Sequence, residues 1–189
     1  MTQQGDGDAV DGAARAGQDV RGPDDIVIRT ADGNDLDGVV RVGNSVMRSA
    51  NAGLMEPEVL DLLAAKFWTS DANTASIRAG RTFVGGAGPN GSDIVAMASY
   101  GKENDRVTIW KLYVLPEYGG RGVARRLVEA IVEKVRTHHD SVYLAVHEGS
   151  EEALAFANAI GFEEIEREEQ SGMPRLVWLR RNLCVGGEA

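Results

Sequence analysis

The sequence predicts a mixed α/β domain whose central sheet is mostly antiparallel, contains one parallel pair of strands and is flanked by about four helices. Three observations indicate this fold. Runs of β-branched and aromatic residues alternate with turn signals over residues 82–115, as in successive antiparallel strands. A helical apolar period follows at 124–135. The strand-like run at 141–146 must then lie parallel to the strand before that helix, because a helix intervenes.

Length, composition and charge restrict the class of protein. The 189 residues suit one domain with a real core, and the net charge of −9 argues against a general nucleic-acid surface. The chain has neither an apolar run long enough for a membrane span nor an N-terminal segment of the secretory kind. We therefore expect a cytoplasmic protein, monomer or homodimer, with no membrane or nucleic-acid partner. The single cysteine, Cys184, cannot form an intramolecular disulfide.

The chain divides into three parts by composition. Residues 1–25 carry six aspartates against two arginines and little apolar surface, which predicts a disordered acidic leader. Residues 26–181 hold the periodic segments and form the folded domain, and residues 182–189 form a C-terminal tail.

The first part of the domain reads as a strand followed by two helices. The strand starts at Ile26, and a helical period starts at Leu36, although Gly38 and Gly43 weaken that helix by about 1 kcal/mol each. Pro57 suits the first turn of a second helix.

The rest of the chain is organised around one stretch, residues 107–136. A strand, 107–115, leads through a glycine-rich turn, 119–122, into a helix with one apolar face. The face comprises Ala124, Leu127, Val128, Ile131 and Val135. Glycines before a helix N-terminus expose N–H donors at the positive end of the helix dipole, which suits a phosphate or pyrophosphate. The absence of Gly-Lys-Ser/Thr argues against a Walker A loop, and the late position of the loop in the chain argues against a Rossmann fingerprint.

This stretch resembles the acyl-CoA loop of the GNAT-type N-acetyltransferase superfamily. The family's Gln/Arg-x-x-Gly-x-Gly/Ala pattern corresponds to residues 119–124, after Leu-Tyr-Val-Leu-Pro-Glu-Tyr at 112–118, and only Gly119 departs from it. Residues 150–162 look like the family's Asn-x-x-Ala-x-x-Phe-Tyr-x-x-x-Gly-Phe segment. The resemblance spans about residues 26–181.

The resemblance implies a GNAT-like fold in which the two parallel strands splay apart to admit the cofactor. It implies acetyl-CoA as the acyl donor and direct transfer of the acetyl group to a primary amine of a small molecule or peptide. The residues expected to bind the cofactor are Leu112, Tyr113, Val114, Gly119, Gly120, Arg121, Gly122, Val123, Ala124, Ser150 and Phe156.

The two common catalytic side chains of the family are missing. The tyrosine that often protonates the thiolate aligns with Ala157, and a glutamate that serves some members as base corresponds to Thr108. Substitutes for these roles are His147, Tyr113 and Glu103. Trp68 and Trp110 are candidates for the wall of the acceptor pocket.

Two other functions remain open at this point. The domain could bind acyl-CoA as a sensor or interaction module with little catalysis, or it could be a structural domain whose glycine turn binds nothing. No metal site is expected, because the adjacent His138 and His139 would point about 100° apart on a helix and no third ligand is evident.

Overall fold

The computed structural model describes residues 26–183 of the chain. The predicted acidic leader, residues 1–25, and Cys184 lie outside the described residues, so the expectations about them stay predictions.

Within residues 26–183, seven strands form one sheet. They are β1 (Val27–Thr30), β2 (Thr82–Ala87), β3 (Asp93–Glu103), β4 (Arg106–Val114), β5 (Ser141–His147), β6 (Glu163–Glu168) and β7 (Leu176–Asn182). Their order across the sheet is β1-β2-β3-β4-β5-β7-β6. Only β4 and β5 are parallel among these neighbouring pairs. The predicted fold class is therefore confirmed.

Five α-helices of the described chain flank the sheet. They are α1 (Leu36–Asn51), α2 (Pro57–Phe67), α3 (Ser70–Arg78), α4 (Val123–Val135) and α5 (Glu151–Ala159). The sequence predicts about four, and the additional helix is α3. It has only two buried residues and so little apolar periodicity, but the Thr69 hydroxyl caps it by accepting a hydrogen bond from the N–H of Ala72 at 3.2 Å.

The helices cover the two faces of the sheet with separate cores. α4 and α5 pack on one face, here called the α4 face, against residues such as Val107, Ile109 and Leu144. The helices α1–α3 pack on the opposite face, the α1 face, against residues such as Val84 and Met97. The predicted apolar face of α4 is confirmed in its central part, because Leu127, Val128 and Ile131 are fully buried.

Gly43 in α1 has a packing role. A Cβ at this position would overlap the six-membered ring of Trp68, which lies in the α1-face core and is 6% exposed. Glycine at position 43 thus costs helix propensity, but it leaves room for a large buried side chain.

None of the helices between residues 26 and 183 is long and apolar enough to cross a membrane.

Candidate active site

β4 and β5 pair over two residues and then separate. Thr108 pairs with Tyr143 and Ile109 with Leu144, whereas β4 continues to Val114 and β5 to His147. A gap therefore opens between the C-terminal ends of the two parallel strands, as the family resemblance implies.

The free edge of β4 faces this gap. The N–H of Leu115 donates to the Val95 carbonyl of β3 at 2.9 Å. Because the polar groups of successive strand residues point to opposite sides, the backbone groups of Leu112 and Val114 point away from β3 and into the gap. An extended amide chain in the gap would find main-chain partners at these two residues.

The glycine loop lies between the end of β4 and α4. Gly119 donates its N–H to the carbonyl of Pro116 at 2.9 Å, which closes a short 3₁₀ turn. Gly120 and Gly122 have φ values of 70° and 72°. Residues with a Cβ adopt this left-handed conformation at a cost of about 1–2 kcal/mol, which explains the glycines. A Cβ at either position would meet open space, so both glycines border solvent.

α4 begins directly after Gly122 with its first turn open to a ligand. The Val123 side chain is buried in the core and anchors this turn, whereas Ala124 is only partly buried. The N-cap residue of α4 is Gly122, which has no side chain to cap the first N–H groups of the helix. These donors and the helix dipole favour an anion, so the loop fits the pyrophosphate of a coenzyme A. Arg121 holds its guanidinium 5.4 Å from the centroid of the Tyr118 ring.

The start of α5 carries the second group of predicted cofactor contacts. Ser150 is the N-cap residue of α5, and its hydroxyl makes no capping hydrogen bond with the described residues. Phe156 is partly buried against the α4-face core. Ala157 is 0% exposed, so the position that the resemblance assigns to a tyrosine holds a small side chain turned into the core.

A β-bulge marks the point where β4 leaves β5. The register with β3 shifts between Ser99 and Tyr100, which leaves Trp110 as the extra residue of β4. The Trp110 side chain is 41% exposed, and its ring meets that of Trp178 on the α1 face edge-on, with centroids 5.6 Å apart. Bulges re-aim side chains near active sites, and this one presents Trp110 to solvent beside the gap.

Tyr113 lies on the α1 face of β4. Its ring contacts Trp68 edge-to-face, with centroids 5.2 Å apart. Burial raises the pKa of Tyr113 to about 12, so its hydroxyl stays protonated at neutral pH. Trp68 itself lies in the core beneath Tyr113, where little of its ring is accessible.

Lys111 is a residue near the gap that the sequence-based prediction missed. Its Nζ donates to Asn73 Oδ1 at 2.7 Å and to the Phe67 carbonyl at 3.1 Å, and lies 4.3 Å from the centroid of the Trp68 ring. These partners are uncharged, and burial lowers the pKa of Lys111 to about 8. The signal in the sequence that could have identified Lys111 is a lysine between tryptophan and leucine in an otherwise apolar strand.

His147 ends β5 on the α1 face. It pairs with Leu176 of β7, and its neighbour Val146 turns to the α4-face core. Burial lowers the pKa of His147 below its ordinary 6.5, and backbone hydrogen bonding at Pro174 opposes this shift. Among residues 26–183, its buried Nδ1 has no hydrogen-bond partner. The next residue, Glu148, is held by hydrogen bonds from Arg167 and Arg175 at 2.6 and 2.8 Å, which fixes the end of the strand.

Glu103 lies apart from the gap. It pairs with Arg106, three residues of β4 before Ile109, so it lies about 10 Å along the strand from the last paired residue. It lines a pocket of about 530 Å³ on the α1 face together with Trp110. The structure thus brings His147 and Tyr113 to the strands that border the gap and places Glu103 at the far end of the pocket. No cluster of three or more potential metal ligands occurs in residues 26–183.

Residues 51–162 match the acetyltransferase (GNAT) family, which is more than half of the chain. The chain therefore belongs to the GNAT acetyltransferase family, whose acyl donor is acetyl-CoA. No curated protein sequence matches the chain significantly.

Solved structures share the fold at low sequence identity. The PaiA N-acetyltransferase from Thermoplasma acidophilum in complex with coenzyme A superposes with a TM-score of 0.72 at 16% identity, over 84% of this chain and 99% of that one. The ribosomal-protein-S18-alanine N-acetyltransferase from Escherichia coli has a TM-score of 0.63 at 17% identity, over 87% and 97%. An N-acetyltransferase from Staphylococcus aureus Mu50 has a TM-score of 0.64 at 17% identity, over 84% and 98%.

Proposed function

We propose that this chain transfers the acetyl group of acetyl-CoA to a primary amine of a small molecule or peptide by direct attack. The observation that carries the proposal is the gap between β4 and β5. It lies beside the first turn of α4, whose N-cap residue supplies no side-chain hydrogen bond, and is bordered by the free backbone edge of β4. Positioning of two reactants in such a gap is itself a large source of rate enhancement.

Main-chain groups would hold the cofactor. The N–H groups of Gly120–Ala124 suit the pyrophosphate, and the backbone of Leu112 and Val114 suits the amides of the pantetheine arm. Ser150 and Phe156 of α5 are assigned to the other side of the cofactor. Bound acetyl-CoA supplies a thioester carbonyl, so that a C–N bond forms to the amine as the C–S bond breaks.

Two side chains are assigned to the proton-transfer steps. His147 is neutral at pH 7 because its pKa is lowered, so its imidazole can accept the proton that the amine loses. Tyr113 is neutral as well, and its hydroxyl can donate a proton to the departing thiolate. Glu103 is assigned to the pocket wall rather than to proton transfer, because it lies about 10 Å along β4 from the parting of the strands.

A second candidate function is acyl-CoA binding with little catalysis. The buried Ala157 favours it, because this position has no proton donor. It predicts the same cofactor affinity as the enzyme but no release of CoA with any amine.

The test is calorimetric titration of acetyl-CoA into the wild type, Gly122→Val and Gly80→Val. Both glycines have positive φ, 72° and 64°, and a Cβ at either meets nothing within 4 Å, so the two variants carry a similar backbone strain of about 1–2 kcal/mol. We expect Gly122→Val alone to weaken acetyl-CoA binding, by about tenfold or more, because its side chain enters the phosphate cradle.

Equal affinities of the two variants would place the cofactor elsewhere. Release of CoA in the presence of an amine separates the enzyme from the binding module. Binding without turnover across a panel of amines would favour the module.

A further inference from the structure

The pocket on the α1 face is lined by electron-rich groups. Its walls include Glu103, Glu166 and Glu168, against one cation, Arg106. Three carboxylates and one guanidinium leave a net charge of −2 on the lining. Because the pocket is half open, these charges attract a cation from solution without the full cost of burying it.

The floor of the pocket is aromatic and already contacts a cation. Trp110 and Trp178 meet there edge-on, and the Arg106 guanidinium lies 5.9 Å from the centroid of Trp178 and 5.2 Å from that of Tyr143. The Arg106 guanidinium also forms an ion pair with Glu166, with 3.6 Å between a guanidinium nitrogen and Glu166 Oε2. The floor therefore has the geometry for cation–π contact, and an incoming ammonium would compete with Arg106 for it.

Two buried side-chain oxygen atoms of the lining have no hydrogen-bond partner among the described residues. Thr108 is 0% exposed, and its Oγ1 has no hydrogen-bond partner within the described part of the chain. The same holds for Gln170 Oε1. Glu168 Oε2, in contrast, is fixed by the Trp178 N–H at 2.8 Å. Unpaired buried polar atoms cost stability unless a ligand pairs with them, and at Thr108, midway along β4 between Arg106 and Trp110, an internal N–H group of a polyamine would be the donor.

The pocket extends along β4 to the residue at which β4 parts from β5. Trp110 lies at its inner end, where β4 parts from β5, and Leu176 of the lining pairs with His147. The outer end, at Arg106, is four residues of β4 away, or about 13 Å. An extended chain advances roughly 1.2 Å per bond, so about ten bonds span the pocket.

We propose that this pocket is the acceptor site and that the acceptor is a linear diamine or polyamine. One amino group lies at the inner end beside His147, and a second ammonium lies at the outer end among Glu103, Glu166 and Glu168. This inference rests on the proposed acetyl transfer to a primary amine and names the class of that amine.

The test compares 1,8-diaminooctane with octylamine, which has the same chain without the distal charge. Binding of each is measured by calorimetry on the full chain without acetyl-CoA, and turnover by CoA release with it. We expect the diamine to bind about tenfold more tightly and to react with a correspondingly higher kcat/KM. The shorter 1,4-diaminobutane should lose most of this advantage, because its second charge does not reach the outer end.

Substitutions of single charged residues test which side chains produce the preference for the diamine. Glu166→Gln and Glu168→Gln should each reduce the preference for the diamine by about three- to tenfold, and Glu168→Gln keeps an acceptor for the Trp178 N–H. Glu164→Gln is the matched control, since Glu164 lies on the same strand but pairs with Leu179 of the α4-face core. Arg106→Gln should raise affinity for the diamine.

The outcomes separate this inference from the proposed function. Equal binding and turnover of diamine and octylamine would overturn the diamine site while acetyl transfer stands. Charge-dependent diamine binding by a protein that does not bind acetyl-CoA would support the site and overturn the enzyme. Acetylation of peptide amines without any diamine binding would also overturn the inference.

Discussion

Burial keeps both proposed proton-transfer residues uncharged. Removal from water disfavours the charged form of any group, so it lowers the pKa of His147 and raises that of Tyr113. At neutral pH one is therefore a free base and the other a protonated acid. This is the pairing that transfer from an ammonium to a thiolate needs.

The pH–rate profile tests His147. Since the pKa of His147 is lowered below 6.5, the rate should rise with pH through an apparent pKa below that value and then level off. We expect His147→Gln to lower kcat by about a hundredfold and to remove this acidic limb, with acetyl-CoA affinity unchanged.

His138→Gln is the control for this profile. Its imidazole is exposed after α4, where Nδ1 contacts the Thr137 hydroxyl at 2.7 Å. Retention of the acidic limb in His147→Gln would remove His147 from the mechanism.

At the scale of elements, a partly buried ion pair joins β1 to the start of α1. Arg29 donates two hydrogen bonds to Asp35, at 2.6 and 2.7 Å, and the N–H of Asp32 donates a third at 2.8 Å. Asp35 is 5% exposed. The hydrogen bonds from Arg29 are the main cause of the lowered pKa of Asp35, whose ordinary value is 3.8.

Asp35→Asn should lower the free energy of unfolding by about 2 kcal/mol at pH 7, because the buried carboxylate loses its charge-assisted hydrogen bonds from Arg29, whose side chain is 32% exposed. A lowered pKa means that the stabilisation is complete above pH 3.8 and is lost as the pH falls through the folded-state pKa. The difference between wild type and variant should therefore shrink in acid, as measured by urea unfolding.

Asp61→Asn is the matched control. Its partner Arg48 is as near, at 2.6 Å, but the Asp61 side chain is 69% exposed, so the loss should stay below about 1 kcal/mol. Equal losses in the two variants would contradict the assigned role of Asp35.

At the scale of the whole molecule, Lys111 ties the α2–α3 connection to the sheet through Asn73 and Phe67. Its pKa is about 8 in the folded protein and ordinarily 10.5. Between these values the unfolded chain binds more protons, so stability should rise with pH. We expect wild type to gain on the order of 1–3 kcal/mol over Lys111→Met across this interval.

Urea unfolding of both proteins at several pH values measures that difference. Tyrosine titration contributes equally to the two proteins and therefore cancels in the difference. Lys66→Met is the control, because Lys66 is exposed to solvent, with its Nζ over the Phe67 ring at 4.9 Å from the centroid. A constant difference between wild type and Lys111→Met would show that Lys111 titrates normally.

The elements differed in how well the sequence predicted them. β4, the glycine loop and α4 were predicted because their apolar period and turn residues are local. α3 was missed because its buried residues are few and include Asn73. The insertion of β7 between β5 and β6 follows from strand pairing, which local pattern does not specify.

The sequence by itself determined the family, the glycine loop before α4 and the absence of the two common catalytic side chains, since each depends on residues adjacent in the chain. Only the tertiary structure decided that Trp110 is the bulge residue of β4 and that Lys111 is partly buried with uncharged hydrogen-bond partners. It also brought β3, β4, β6 and β7 together around one acidic aromatic pocket. Such features arise from contacts between distant segments, and their burial and charge exist only once the sheet has formed.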